Sequence, residues 1–211
     1  PTVVSMHDLI IKKIPETFNR FDRSIYSFKY KQALKQANHV VAISQSTKND
    51  LLELYDLAPE QISVIPPAIN QLFYDAYGEE EMKEFRSRLS LPERFFIFVG
   101  SVIERKNMKR VVEAFDLLPD NSKIPFIVLG RGNKYLLEVK QLVQSKGLSK
   151  YFDFRENVEN SADLKAHIQA ASAMVYPSVY EGFGIPPLEA ISTGTPVVVS
   201  NNSSLPEVCG D

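Results

Sequence analysis

The sequence predicts an α/β protein with a doubly wound, parallel, Rossmann-like sheet. Short apolar runs rich in valine, isoleucine and phenylalanine alternate with longer amphipathic stretches. Most of these runs are apolar on successive residues, which is typical of strands buried on both faces of a parallel sheet. Regular alternation of strands with helices indicates this fold class. We therefore expect eight strands, at residues 2–6, 39–44, 62–66, 94–100, 124–130, 151–155, 173–178 and 196–200.

The helix expected after the fourth strand shows the amphipathic pattern most clearly. In "MKRVVEAFDLL" the apolar side chains recur at helical spacing and form one stripe. The members of this stripe are Met108, Val111, Val112, Phe115 and Leu118. A stripe of this kind indicates a helix that packs one face against the sheet.

Composition along the chain divides it into three parts. Residues 1–70 form a first α/β piece, the polar segment 71–90 is expected to be a linker, and residues 91–211 form a second piece. The first piece is too short to be a complete doubly wound domain. The chain also opens on "PTVVSMHDL" without an initiator methionine and stops at "PEVCGD", apparently just inside a helix, so both ends are expected to be truncated relative to a longer protein.

Bulk composition excludes several classes of protein. The chain has 211 residues, a net charge of -2 and one cysteine, Cys209. A disulfide within the chain is impossible, a reducing compartment is favoured, and nothing in the total charge indicates nucleic acid. Residues 11–36 carry seven bases and two acids. This segment is either a solvated helix face or a contact with an anionic membrane or a phosphate-bearing lipid.

Two glutamates flank a glycine- and proline-rich stretch in "YEGFGIPPLEAISTG". Glu181 is expected in the loop after a strand, and Glu189 in the early turns of a short helix that Gly194 ends. Gly182 and Gly184 let the backbone approach a ligand closely, and the helix N-terminus favours anions. Carboxylates accept hydrogen bonds from vicinal hydroxyls. A phosphorylated, polyhydroxylated ligand such as a nucleotide sugar satisfies all these groups, whereas helix capping alone would explain only Glu189.

A second candidate site follows the fourth predicted strand in "FFIFVGSVIERKNMKR". Gly100 allows a turn, and Arg105 and Lys106 fall just before a helix for which Asn107 is the expected N-cap. Two cations at a helix N-terminus predict a pyrophosphate site, although exposed basic pairs are also common.

The segment "VLGRGNKY" supports an alternative of another class. Gly130 and Gly132 after a strand form a partial dinucleotide fingerprint, and Asp153 or Glu156 stands where a ribose-binding acid would lie. This pattern would indicate a nicotinamide-dependent oxidoreductase. Tyr135 occupies the position of the third glycine, which departs from the fingerprint.

Three smaller patterns complete the set of candidate residues. His7 ends the first strand, where a catalytic or acceptor-side group could stand, and Asp8 is expected to cap the segment after it. "SSLPE" predicts a capping box with Ser204 at the N-cap and Glu207 at N3. The scattered histidines and the absence of known metal motifs predict no metal site.

The stretch "YEGFGIPPLEA" resembles the E-x7-E motif of family 4 glycosyltransferases, the retaining enzymes of GT-B fold. "VYPS", "STGTPVVVSN" and "SSLPEVCGD" are similar to that family in order and spacing. The resemblance implies that residues 1–70 are the last part of an acceptor-side domain and that 91–211 are the donor domain.

The resemblance also implies a role for each matching residue. Glu189 would bind the ribose, and Glu181 and His7 would lie beside the transferred sugar. Backbone amides of Gly182, Phe183 and Gly184 would contact sugar and diphosphate. Arg105, Lys106 and Gly100 would bind the diphosphate, and Val158 would face the base.

The expected function is transfer of a hexosyl unit, such as mannosyl, from a UDP-, GDP- or ADP-sugar to a glycan or lipid-linked acceptor. The resemblance implies that no metal and no cofactor take part, and that the protein is a cytoplasmic enzyme of bacterial polysaccharide biosynthesis, at the inner face of the membrane if residues 11–36 contact lipid. A nucleotide-sugar binding module without turnover is a further alternative for a chain of this length.

Overall fold

The computed structural model describes residues 1–156 and 158–210, which form two compact units. Unit 1 comprises Pro1–Ala68, Val179–Gly184 and Asn201–Asp211, and unit 2 comprises Ile69–Ser178 and Ile185–Ser200. In chain order the elements are β1 (Val3–Met6), α1 (Ile10–Lys13), α2 (Arg20–Gln36), β2 (His39–Ala42), α3 (Gln45–Leu54), β3 (Ile62–Val64), α4 (Glu79–Arg88), β4 (Phe96–Val99), α5 (Met108–Asp116), β5 (Phe126–Leu129), α6 (Lys134–Ser145), β6 (Phe152–Arg155), α7 (Ser161–Ala170), β7 (Ala173–Tyr176), α8 (Ile185–Ser192), β8 (Val197–Val199) and α9 (Leu205–Cys209).

All eight predicted strands are present, and every strand pair is parallel. The sheet of unit 1 has the order β1-β2-β3, and the sheet of unit 2 has the order β6-β5-β4-β7-β8. The α/β class predicted from the sequence is therefore confirmed.

Burial on both faces holds for the central strands of unit 2 and fails at its edges. All four residues of β5 and the last three of β4 are buried, whereas no residue of the edge strand β8 is fully buried. A strand at the edge of a sheet has a neighbouring strand on one side only, so its side chains stay more exposed to solvent. An apolar run in such a strand therefore does not imply that both of its faces are buried. The core of unit 2 thus centres on β4 and β5.

Helix α5 covers this core as its apolar stripe predicts. Met108, Val111, Val112 and Phe115 are buried, and the helix ends at Asp116, so that Leu118 lies beyond it and is only half-buried. The aromatic ring of Phe115 packs edge-on against Phe152 at a centroid distance of 5.1 Å. Such pairs add to the stability gained from burial of the rings.

The core of unit 1 is smaller. It consists of side chains from β1, β2, β3, α2 and α3 and the residue before α1, namely Met6, Leu9, Leu34, Val40, Ala42, Leu51 and Ile62. Side-chain caps begin its two longer helices: Asn19 accepts from the amide of Asp22 at α2, and Ser44 accepts from the amide of Thr47 at α3. These caps satisfy amides that the helices leave unpaired.

The segment 71–90, expected to be a linker from its polar composition, contains α4 and belongs to unit 2. Three glutamates occupy the first turn of α4, and Arg86 and Arg88 occupy its last turn. This charge order stabilises a helix through its dipole. The guanidinium of Arg86 donates to the carbonyls of Pro92 and Ala170, at 2.7 and 3.0 Å. The polar composition of segment 71–90 therefore reflects the exposed helix α4 and not a linker.

Among residues 1–156 and 158–210, no helix is both long enough and apolar enough to cross a membrane.

The glycine turns after β4 and β5 pack against each other in unit 2. Gly130 has a φ of +151°, and a Cβ atom at this position would overlap the backbone carbonyl of Gly100. Only glycine fits such a conformation and such a close approach. The two turns therefore depend on both glycines to lie side by side.

We predict that Gly130→Ala lowers the free energy of unfolding by about 2–4 kcal/mol, since the new methyl group strains the backbone and displaces the turn at Gly100. The matched control is Gly147→Ala, where φ is +68° but nothing lies within 4 Å of the added Cβ. That change should cost about 1–2 kcal/mol. Urea unfolding measures both, and equal losses would contradict the packing argument.

Candidate functional site

The carboxyl ends of β4 and β5 open into a cavity of about 400 Å³ in unit 2. Gly100 and Val158, predicted from the sequence to bind diphosphate and base, both line it. Its wall also includes Ser101, Arg131 and Glu156. The structure thus brings a glycine turn, a base-side candidate and both signs of charge to one place. Ligands in open α/β sheets bind at this edge.

Lys106 is buried where the strand order of unit 2 reverses. The chain runs from β4 through β5 to β6 and then returns to the other side of β4 as β7. Lys106 follows β4 and Tyr176 ends β7; the Lys106 ammonium donates to the Tyr176 hydroxyl and lies 4.4 Å from the centroid of the ring. Arg105 precedes it in the same 3₁₀ turn and is half-buried. Both cations therefore lie beside a topological switch point, the usual ligand crevice of such sheets.

Asn107 is the N-cap of α5, as expected from the sequence. Its φ of 58° lies in the left-handed region, however, and its side chain makes no capping hydrogen bond. The 3₁₀ turn at Glu104–Lys106 forces the chain to reverse sharply before the helix. Asparagine tolerates this conformation better than most residues, which accounts for its presence.

Glu189 lies on α8 as predicted and is a buried carboxylate, only 9% exposed. Burial raises the pKa of Glu189 from 4.5 to about 7. Within the described part of the chain no group donates a hydrogen bond to this carboxylate. A largely buried carboxyl group without a protein donor is suited to accept hydrogen bonds from a ligand.

The loop Val179–Gly184 is held by unit 1. The Tyr180 hydroxyl donates to the Asp50 carboxylate, which also pairs with Lys13 at 2.9 Å. The Thr47 hydroxyl donates to the Gly182 carbonyl at 3.3 Å. Burial and the bond to Asp50 raise the pKa of Tyr180, so the phenol keeps its proton. Helix α3 therefore fixes the loop at two points.

Three successive amides of this loop lack a protein acceptor. Gly182, Phe183 and Gly184 are buried, yet their N–H groups donate to no group in residues 1–156 and 158–210. The neighbouring amide of Glu181, by contrast, donates to Ser203 Oγ at 2.8 Å. Buried N–H groups in proteins are nearly always paired. These three are therefore well suited to bind oxygen atoms of a ligand.

The capping box expected at Ser204 and Glu207 is wrong. Ser204 instead donates to the carbonyls of Glu181 and Phe183, and the Glu207 carboxylate accepts from the amides of Gln45, at 2.8 Å, and Ser46, at 3.2 Å. Glu207 thus caps α3, which is distant in sequence, while Ser204 holds the glycine loop. Both residues stabilise unit 1 through contacts with residues that are distant in sequence, which a local motif cannot indicate.

His7 is exposed at the end of β1, and its backbone carbonyl contacts Gly182 so closely that a Cβ on Gly182 would overlap it. The structure therefore brings together the predicted residues His7, Glu181 and Gly182 in unit 1. Asp8 caps the turn after it as expected, since its Oδ1 accepts from the amide of Ile10 at 3.1 Å.

The glycines of "VLGRGNKY" have a packing role that requires no dinucleotide. A Cβ on Gly132 would lie 2.7 Å from the Val102 carbonyl oxygen and 2.5 Å from the Cβ of Leu136. Asp153, one candidate for the ribose acid of an oxidoreductase, accepts from Arg155 Nε at 2.7 Å. Close packing between the turns after β4 and β5 thus explains this pattern.

Arg131 and Tyr180 were not singled out by the sequence patterns, and Ser204 and Glu207 were given a local capping role only. Arg131 stands between the two glycines of the fingerprint, so its position was a usable signal. The other three act through contacts between residues that are distant in sequence, which no local pattern indicates. Within the described ranges, no three histidine, cysteine, aspartate or glutamate side chains are grouped to hold a metal ion.

Comparison with known proteins gives two family matches. The model of "Glycosyl transferases group 1" matches residues 79–211, and that of "Glycosyltransferase Family 4" matches residues 1–71. The serotype-specific mannosyltransferase WbdA of Escherichia coli is 31% identical over 99% of this chain, which covers 26% of WbdA. The O-antigen chain mannosyltransferase B of Escherichia coli is 30% identical over 99% of this chain and is covered to 55%. The chain thus spans between a quarter and just over half of these relatives.

Solved structures show the same fold at low identity. The Anabaena protein HepE, crystallised with UDP and glucose, matches with a TM-score of 0.81 at 20% identity, covering 98% of this chain and 55% of HepE. WaaG, a glycosyltransferase involved in lipopolysaccharide biosynthesis, matches with a TM-score of 0.79 at 21% identity. The match covers 99% of this chain and 59% of WaaG. With the family model matched over residues 79–211, the chain belongs to the group 1 glycosyl transferases and has the α/β fold of GT-B enzymes.

Proposed function

We propose that the protein transfers a mannosyl unit from a nucleoside diphosphate sugar to a hydroxyl of a glycan or lipid-linked acceptor. The unpaired amides of Gly182, Phe183 and Gly184 carry this proposal, because three successive donors on buried residues suit the oxygens of a sugar diphosphate. Relatives named as mannosyltransferases support the choice of sugar. The donor nucleotide is UDP, GDP or ADP.

Each candidate residue has a role in this proposal. Glu189 accepts hydrogen bonds from the ribose hydroxyls, and Val158 faces the base. Glu181 and His7 lie beside the transferred sugar. Gly100 gives the diphosphate access to the backbone at the end of β4. The buried carboxylate and the cavity at Gly100 and Val158 support these assignments.

The proposed mechanism needs neither metal nor cofactor. Arg105 and Lys106 stabilise the negative charge that grows on the departing diphosphate. The sugar keeps its anomeric configuration because the acceptor hydroxyl attacks from the face that the diphosphate leaves. The leaving phosphate takes the proton of that hydroxyl. The fixed position of Lys106 against Tyr176 supports a preorganised site.

We further propose that the protein works in the cytoplasm and contacts the inner face of the membrane through residues 11–36. Phe21 and Phe28 lie seven residues apart on α2 and are 74% and 64% exposed. Exposed aromatic side chains among bases are typical of a helix that lies on an anionic lipid surface.

Transfer is tested by incubating the protein with radiolabelled UDP-, GDP- and ADP-hexoses and a bacterial membrane fraction as acceptor. The proposal expects label in the glycan or glycolipid fraction from a mannosyl donor, with the anomeric configuration of the donor in the product. Transfer with inversion would contradict the mechanism, and transfer of another sugar alone would contradict the proposed substrate.

The paired change Arg105→Ala and Lys106→Met should weaken nucleoside diphosphate binding by about 3 kcal/mol or more, because two charge-assisted contacts are lost. Affinity for the free nucleoside should stay the same. The control removes two exposed cations, Arg94→Ala and Arg110→Ala. Calorimetric titration with and without EDTA measures these affinities. Equal losses for nucleoside and nucleotide, or a need for a divalent cation, would contradict the proposed contacts.

Glu189→Gln should stabilise the unliganded protein clearly at pH 8 and much less at pH 5. The raised pKa means that ionising Glu189 costs more in the folded than in the unfolded chain. This cost is absent below pH 4.5 and complete above about pH 7. The amide removes it, so we expect a gain of about 1–2 kcal/mol at pH 8.

Thermal melts at the two pH values measure this effect. The matched control is Glu84→Gln on α4, an exposed carboxylate, for which the melting temperature should change equally little at both. A Glu189→Gln variant that is less stable than the parent at pH 8 would show that the carboxylate has a stabilising partner.

A further inference from the structure

His167 is a buried titratable side chain that the proposed reaction does not use. It lies on α7 in unit 2 and is only 4% exposed. Its Nδ1 lies 2.7 Å from the carbonyl oxygen of Asp163, one turn earlier, and its Nε2 lies 3.1 Å from Nη1 of Arg155. A carbonyl only accepts and a guanidinium only donates, so Nδ1 carries the proton and Nε2 accepts from Arg155. Burial, together with the charge of Arg155, lowers the pKa of His167, so the ring is neutral at pH 7.

The Arg155 guanidinium connects the end of β6 to α7 and to the chain that follows α4. Besides its bond to His167 on α7, Nη1 donates to the carbonyl of Leu89 at 2.8 Å, and Nη2 donates to the carbonyl of Ser90 at 3.3 Å. Within β6, its Nε donates to the Asp153 carboxylate at 2.7 Å. Acceptors from β6, from α7 and from the chain after α4 therefore hold this guanidinium in one orientation.

A second arginine fixes the start of α7. Arg88, the last residue of α4, donates two hydrogen bonds to the carboxylate of Asp163, one of them to Oδ2 at 3.2 Å. The side chain of Asn160 caps α7 by accepting from the amide of Asp163 at 2.9 Å. Asp163 is 1% exposed, and its bond with Arg88 lowers its pKa, so the carboxylate stays charged. A bidentate pair of this kind fixes the orientation of both groups.

Val158, the residue expected to face the base, lies between these two anchors in the sequence. It follows Arg155 by three positions and precedes Asn160 by two. Val158 lines the cavity at Gly100, and it also lines a cavity of about 350 Å³ together with Arg155 and His167. The guanidinium and the imidazole therefore lie behind one wall of the candidate donor cavity.

We propose that Arg155 and His167 are positioning residues for the base of the donor nucleotide. They hold the backbone that carries Val158 at one distance from the turn at Gly100, and this distance decides which base fits between them. A site keeps its geometry when the side chains behind it are themselves fixed by hydrogen bonds. This inference rests on the proposed function, because it assumes that the base lies at Val158.

The test compares two changes at His167. Calorimetry at pH 8 measures the affinities for UDP, GDP, ADP and inorganic pyrophosphate. His167→Leu leaves an N–H group of Arg155 without this acceptor, so binding of the preferred diphosphate should weaken about fivefold or more, and the preference over the other two should narrow. Inorganic pyrophosphate has no base, so its affinity should not change. His167→Gln keeps an acceptor near the position of Nε2 and should restore the preference of the parent.

Arg155→Met provides an independent test, because the Arg155 side chain is 22% exposed and the change leaves the buried ring in place. It should narrow the base preference as His167→Leu does. The double variant should bind as Arg155→Met does, since His167 acts through Arg155. The matched control is His39→Leu on β2 of unit 1, where Nε2 lies 2.8 Å from Ser63 Oγ, and it should leave all four affinities unchanged. Thermal melts show whether each variant is folded.

The possible outcomes separate this inference from the proposed function. If the parent binds a nucleoside diphosphate but His167→Leu and Arg155→Met keep its base preference, this inference alone is overturned. It is also overturned if pyrophosphate binding falls as much as nucleoside diphosphate binding, because the two residues would then only maintain the fold. If the parent binds none of the three diphosphates, the proposed function and this inference fail together.

Discussion

The reversal of strand order between β4 and β7 is the constraint on which the site in unit 2 depends. Strands β5 and β6 lie on one side of β4, whereas β7 and β8 lie on its other side. The connections that follow β4 and β7 therefore diverge at the carboxyl edge of the sheet. A crevice opens where connections diverge in this way. Lys106 and Tyr176, one from each side, meet at this point.

The other features of unit 2 follow from that geometry. The turn after β4 must pass close to the turn after β5, and the glycines at 100 and 130 make this approach possible. Strands β4 and β5 consist of apolar residues that are mostly buried. Polar side chains of the site therefore lie beyond the carboxyl ends of these strands. The largely buried carboxylate of Glu189 lies on α8, a helix that follows β7 in the chain.

Unit 1 illustrates how a loop can be held from a distance in sequence. Residues 179–184 are fixed by side chains of α3 and by Ser204, and Glu207 caps α3 in turn. None of these contacts occupies the three amides of Gly182, Phe183 and Gly184. The loop is therefore held in place while three of its N–H groups stay available to a ligand. A site of this kind can bind a ligand with little reorganisation.

The sequence predicted the strands, the helix of Glu189 and the position of Arg105 and Lys106, because these depend on local periodicity and on proline and glycine. It could not predict the roles of Ser204 and Glu207, since the capping-box spacing does not show that Ser204 bonds carbonyls 23 and 21 positions earlier, or that Glu207 bonds amides 162 and 161 positions earlier. It placed a linker where α4 lies, because a charged exposed helix and a linker have similar composition. The burial of Glu189 also depends on packing that no local pattern indicates.

Calorimetric titration of the protein with UDP, GDP, ADP and NAD tests the central claim most directly, that the crevice at the switch point binds the nucleoside diphosphate of a sugar donor. The account predicts that one of the three diphosphates binds, that its 2′,3′-dideoxy analogue binds at least about tenfold more weakly, and that Glu189→Ala removes this difference. Tighter binding of NAD than of any nucleoside diphosphate, or equal binding of the ribose and dideoxyribose forms, would contradict it.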